Sequence, residues 1–196
     1  MVETKDVSSI PTAAVQTEST ILPVSIDQAW DKFRNFRWDQ LAPGKVKSVA
    51  WTDGAPARVG STARLQYEGG VTWVVRLTEV SERHHTVAYE LLEADPPVRV
   101  TSLQAELKLL RVSDDNTTFL SWTTEFSNDV CAEIIQDQKY KKLDFFSAFA
   151  KHFAGEEVFN WPPLEGNPEI FMDYMAKSGL NQEKYAFNEI FGFEEG

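Results

Sequence analysis

From Val15 to Ser127, apolar and polar positions alternate along most of the chain, which predicts strands with one buried and one wet face. The first spans Val15 to Val24, with Pro23 suited to an exit position. Ile26, Ala29, Trp30 and Phe33 then switch to helical spacing and predict a helix over Ile26–Phe36. Ser25, with Gln28 three residues on, reads as a capping box at its start. Trp38–Leu41 reads as a second short helical turn, ended by Pro43-Gly44.

Alternation resumes over Val46–Trp51, Ser61–Glu68, Val71–Ser81, Thr86–Ala94, Val98–Val112 and Thr117–Ser127. Turn residues separate these runs: Asp53-Gly54, Gly69-Gly70, Pro96-Pro97 and Asp114-Asp115-Asn116. Asn128 or Asp129 can then cap a long helix from about Val130 to Phe153. Its apolar residues, Ile134, Ile135, Leu143, Phe146, Phe149, Ala150 and Phe153, recur at steps of three and four. This helix is the one large apolar partner left for the sheet. The order therefore predicts an α+β fold, a curved antiparallel sheet of about six to seven strands wrapped round a long C-terminal helix, with two short helices after the first strand.

Charge divides the chain. Of the net −11, residues 155–196 carry −7 and the first 154 residues only −4. The acidic balance disfavours a nucleic-acid surface, which needs clustered Lys and Arg. No apolar run approaches the ~20 residues of a membrane-spanning helix. Met1–Pro11 lacks the apolar stretch of a signal peptide. Cys131 is the single cysteine, so no internal disulfide can form and a reducing, cytoplasmic setting is expected. One cysteine with three histidines leaves little for a metal site, and no phosphate- or dinucleotide-binding loop is present, so neither metal nor cofactor is expected. His84-His85 falls between two strands and reads as an exposed polar turn, in which at most one imidazole points inward.

Several stretches, in order, carry a family resemblance. They are Ile21-Leu22-Pro23-Val24 with Ile26-Asp27-Gln28-Ala29-Trp30, Phe36-Arg37-Trp38, Gly60-Ser61, and Val75-Arg76-Leu77-Thr78-Glu79-Val80. Val87-Ala88-Tyr89, Pro96-Pro97 and Thr118-Phe119-Leu120-Ser121-Trp122 complete the set. Residues 13–154 thus resemble the START-like (SRPBCC) superfamily, which includes polyketide cyclase/dehydrase and lipid-transport-like domains. The resemblance implies the helix-grip fold and a ligand cavity between sheet and long helix. The plant hormone receptors of this superfamily carry an acidic residue at the position matched to Val75, so the resemblance does not extend to that role.

The Gly69-Gly70 turn allows strands to be paired without the family. With a two-residue loop, Glu68 opposes Val71, Gln66 opposes Trp73 and Arg64 opposes Val75. The face holding Trp73, Val75 and Leu77 would then also hold Arg64 and Gln66, placed to orient a polar ligand group. A register one residue off would leave Arg64 in solvent instead. Tyr89 with Leu91, then Trp122 with Thr124 and Phe126, form further inward sets, and Phe146 and Phe149 face them from the helix. Each can be plain core; the family resemblance favours a cavity lining.

Residues 1–12 read as a flexible N-terminus and 155–196 as an acidic, aromatic helical extension. The extension is expected to hold helices over 167–179 and 181–190, which pack on the body or dock a protein partner or second copy. The leading expectation is binding of a small hydrophobic molecule (lipid, polyketide-like or isoprenoid-like) as carrier or sensor. A cyclase or dehydratase is the alternative, with Arg64 stabilising an oxyanion and Tyr89 moving a proton. A protein-interaction module acting through the extension is the third.

Overall fold

The computed structural model describes residues 14–155. The expectations for residues 1–12 and for the extension beyond Gly155 lie outside the described residues. The elements in chain order are β1 (Val15–Leu22), α1 (Ile26–Arg34), α2 (Trp38–Leu41), β2 (Val46–Asp53), β3 (Thr62–Tyr67), β4 (Thr72–Ser81), β5 (Thr86–Asp95), β6 (Leu103–Val112), β7 (Thr117–Phe126) and α3 (Ala132–Ala154).

The seven strands form one antiparallel sheet in the order β1-β7-β6-β5-β4-β3-β2. Alternation decides which face is covered. In β6, Leu103, Ala105, Leu107 and Leu109 are buried while Gln104, Glu106 and Lys108 are exposed. In β7, Thr118, Leu120, Trp122, Thr124 and Phe126 face inward. Register shifts between β2 and β3 and between β4 and β5 bend the sheet. The curved sheet holds α3 as a helix grip. β1 and β2 lie at opposite edges, and α1 with α2 carries the chain between them.

Three local expectations change. Ser25 is the N-cap of α1, yet its hydroxyl donates to the Gln28 side chain at 3.0 Å and caps no backbone N–H. The strand expected from Val98 begins at Leu103. The segment before it is held from outside the sheet: Thr101 donates its backbone N–H and hydroxyl to Asp129 at 2.9 and 2.7 Å. Asp129 is thereby spent on the loop, and Cys131 is the N-cap of α3. Bonds from Ser127 and Thr101 hold the Asp129 carboxyl below its usual pKa.

One end of the grip is solidly filled. Phe33 of α1 meets Phe149 of α3 edge-on at 5.2 Å, and Leu107, Leu109 and Leu120 are wholly buried with them. The β4–β5 turn is clamped over this end. Trp30 Nε1 donates to Glu82 at 2.7 Å, Arg34 pairs with the same carboxylate at 3.1 Å, and the His85 ring stands against Trp30 at 5.4 Å. The Trp30 bond, ahead of the Arg34 contact, lowers the Glu82 pKa. His84 is exposed, as a polar turn residue should be.

Candidate functional site

α1 ends at Arg34, Asn35 caps it, and Phe36 takes a left-handed φ of 56°. That conformation is rare for an aromatic residue, and the complete burial of Phe36 holds it there. The turn sends Trp38 under the sheet. Its ring lies 4.7 Å from Phe36, 5.1 Å from Trp122, 5.6 Å from Tyr89 and 5.7 Å from Phe145. Tyr67 extends this wall, 5.7 Å from Trp73 and 6.3 Å from Phe145.

These rings do not close on one another. They leave a cavity of about 350 Å³ between β3, β4, β5, β7, α2 and α3. Such a volume lies within the ordinary range for small-molecule sites, and aromatic walls are the usual lining. The cavity opens past Gly44, Glu68, Lys141 and Asp144, all exposed. Its rim is tied together. Lys45 pairs with Asp144 of α3 at 2.8 Å, and the Glu68 N–H donates to the Lys45 carbonyl at 2.9 Å.

The polar groups of the wall are unusual for a core. Lys142 is 1% exposed. Its ammonium donates to the Gln16 carbonyl at 2.8 Å and to the Gln16 side-chain oxygen, and sits 6.0 Å from the centre of the Trp122 ring. Burial pulls its pKa down from 10.5 to about 7, and the Glu18 carboxylate offsets this in part. Burial raises the pKa of both Tyr67 and Tyr89, so both phenols are neutral near pH 7. The indole N–H of Trp38 is buried without a hydrogen-bond partner, and that of Trp122 is directed at the Tyr89 hydroxyl. An unpartnered buried donor costs about 1–3 kcal/mol.

Trp73, Tyr89 and Trp122 face inward, as alternation predicts, and stand in the cavity wall. Val75, Leu77, Thr124, Phe126, Phe146 and Phe149 are buried in the surrounding core, and Leu91 is half-buried. Arg64 and Gln66 are corrected. Both are exposed on the outer face, where Gln66 accepts a bond from Ser48 at 3.1 Å. The reason is the length of one turn. Tyr67 donates its N–H to the Val71 carbonyl at 2.8 Å, so the hairpin loop is Glu68-Gly69-Gly70, not Gly69-Gly70 alone. Gly69 and Gly70 take φ of 82° and 86°, which only glycine adopts without strain. Leu65 therefore opposes Trp73, Arg64 opposes Val74, and the polar pair turns outward.

Sequence reasoning missed Trp38, Tyr67, Gln138, Lys142 and Phe145. A signal for the last three existed. Residues 138, 142, 145 and 149 follow one another at steps of four, three and four, and all four are buried. Leu143, counted in the apolar stripe, is 39% exposed. The inward stripe of α3 thus runs through a glutamine and a lysine. Among the described residues no cluster of His, Cys, Asp or Glu could hold a metal ion, and no helix is long and apolar enough to cross a membrane.

Residues 13–139 match the family described as polyketide cyclase / dehydrase and lipid transport. No curated protein matches by sequence. Solved structures share the fold at low identity. A protein from Nitrosospira multiformis superposes with a TM-score of 0.64 at 23% identity, covering 72% of this chain and 97% of its own. The protein XoxI from Bacillus cereus gives 0.61 at 21%, covering 74% and 98%. Ginseng major latex-like protein 151 from Panax ginseng gives 0.59 at 11%, covering 71% and 96%.

Proposed function

The chain belongs to the polyketide cyclase/dehydrase and lipid-transport family of the START-like superfamily, and from that premise we propose that it binds a small hydrophobic molecule in its cavity, as a carrier or sensor. The observation that carries this reading is the space itself. Six aromatic side chains, Trp38, Tyr67, Trp73, Tyr89, Trp122 and Phe145, line a volume of about 350 Å³ that the described residues leave unfilled. Close-packed interiors rarely leave such a space, because each missing contact forfeits dispersion energy. A flat or unsaturated apolar ligand would restore those contacts.

The enzymatic alternative loses its oxyanion donor, since Arg64 lies on the opposite face of the sheet from the cavity. The carrier reading needs no such group. Native mass spectrometry of the purified protein offered lipid extracts tests it. A retained or acquired apolar adduct is the expected result, and a protein that stays free of any adduct overturns the reading.

A further inference from the structure

We propose that the ligand carries a carboxylate, and that the Lys142 ammonium is the group that receives it. This rests on the cavity-binding reading and names the chemistry of its occupant.

The first observation is an incomplete shell. An ammonium has three N–H donors. Two are spent on Gln16, one on its carbonyl and one on its side-chain oxygen. The third has no partner of its own among the described residues, while Lys142 itself lines the cavity.

The second observation is an uncompensated charge. Among the described residues no carboxylate lies within 4.0 Å of Lys142. Glu18 acts on it only from a distance. Its Oε1 accepts from Gln16 Nε2 at 2.9 Å and lies 3.9 Å from Lys139. A buried cation without a counter-ion is destabilising, and an apolar residue of the same size would serve the core better. A lysine retained on the inward stripe of α3 is therefore read as a device for binding.

The third observation is the polarity of the wall. Besides Lys142 it presents two buried indole N–H groups, that of Trp38 without an acceptor and that of Trp122 directed at the Tyr89 hydroxyl. These are donors only. Neutral phenols at Tyr67 and Tyr89 add two groups able to donate. An occupant that supplies acceptor oxygens complements this set; an occupant that supplies donors does not.

Calorimetry with 2-naphthoic acid and 2-naphthamide at pH 6, below the Lys142 pKa of about 7, tests the proposal. The two probes share one apolar body and differ in the group that meets Lys142. The acid is expected to bind at least about tenfold more tightly than the amide, as a charge-assisted hydrogen bond in a buried site allows. Lys142→Met and Lys142→Gln are expected to bring that ratio close to one. The ratio in the unaltered protein stands even if neither variant folds. Equal affinities in the unaltered protein, or a preference that survives in a folded variant, overturn the carboxylate proposal and leave the cavity reading intact. Failure of both probes to bind overturns the two together.

Discussion

The two ends of the grip are built from the same strands and the same helix, yet one is filled and the other is hollow. At the filled end Phe33, Leu109, Leu120 and Phe149 are wholly buried, and the one indole nearby, Trp30, gives its N–H to Glu82. At the hollow end a lysine and a glutamine replace apolar residues on the inward stripe of α3, and the Trp38 indole keeps an unpartnered N–H. At the filled end the indole donor is satisfied by a carboxylate; at the hollow end the Trp38 donor is left unpartnered beside an open space. On the proposed function, that contrast gives stability to one end and binding to the other.

The largest effect is expected where packing is complete. Phe33→Ala should cost about 3–5 kcal/mol in urea denaturation, because Phe33 is wholly buried against Phe149 and Phe153 and does not line the cavity. A loss under about 1 kcal/mol would break the distinction between the ends.

Lys142→Met sharpens the contrast through pH. The folded-state pKa of Lys142 is about 7, against 10.5 for an ordinary lysine. Between these values the unfolded chain holds a proton that the folded protein has released. Stability conferred by this group is therefore complete above the ordinary value and lost as pH falls through about 7. Relative to Lys142→Met, the unaltered protein should gain up to about 1.4 kcal/mol per pH unit within that window. Glu18 from β1 is the charged group that acts on Lys142, and the phenols of Tyr67 and Tyr89, which line the same cavity, stay neutral there. Parallel stability curves for the two proteins would mean that Lys142 is solvated.

Lys45→Ala removes the exposed ion pair with Asp144 across the cavity rim. Stability should change by less than about 1 kcal/mol. Release of bound 2-naphthamide, followed by stopped-flow fluorescence, should be several-fold faster. An unchanged release rate would show that the rim does not control exit.

Arg64→Ala and Gln66→Ala should do least, within about 0.5 kcal/mol of the unaltered stability and without effect on probe affinity. Loss of binding in either would restore the two-residue hairpin and its inward polar pair.

How much the chain discloses of itself differs between the same two ends. Alternation and helical spacing carry the strand order, both short helices and the filled core, because apolar residues there have one reading. The hollow end is written in residues with two readings. Lys142 sits in step with Phe145 and Phe149, but a charged residue on a helix ordinarily faces solvent, so apolar spacing points to Leu143 instead. Arg64 and Gln66 depended on whether Glu68 belongs to strand or loop, and one residue moved every side chain of β3 to the other face. Val98 and Val100 alternate like a strand, yet Asp129 and Ser127 hold the adjoining backbone at Thr101 and Ser102 away from the ladder. Such long-range partners have no local signature.

The most direct test follows the indole N–H resonances during titration with 2-naphthamide. Trp38 and Trp122 line the cavity, while Trp30 is held by Glu82 at the filled end and serves as an internal reference. The account requires saturable shifts of the Trp38 and Trp122 signals with Trp30 unmoved. Shifts at Trp30 with Trp38 and Trp122 still, or no saturable shift at any of the three, would contradict it.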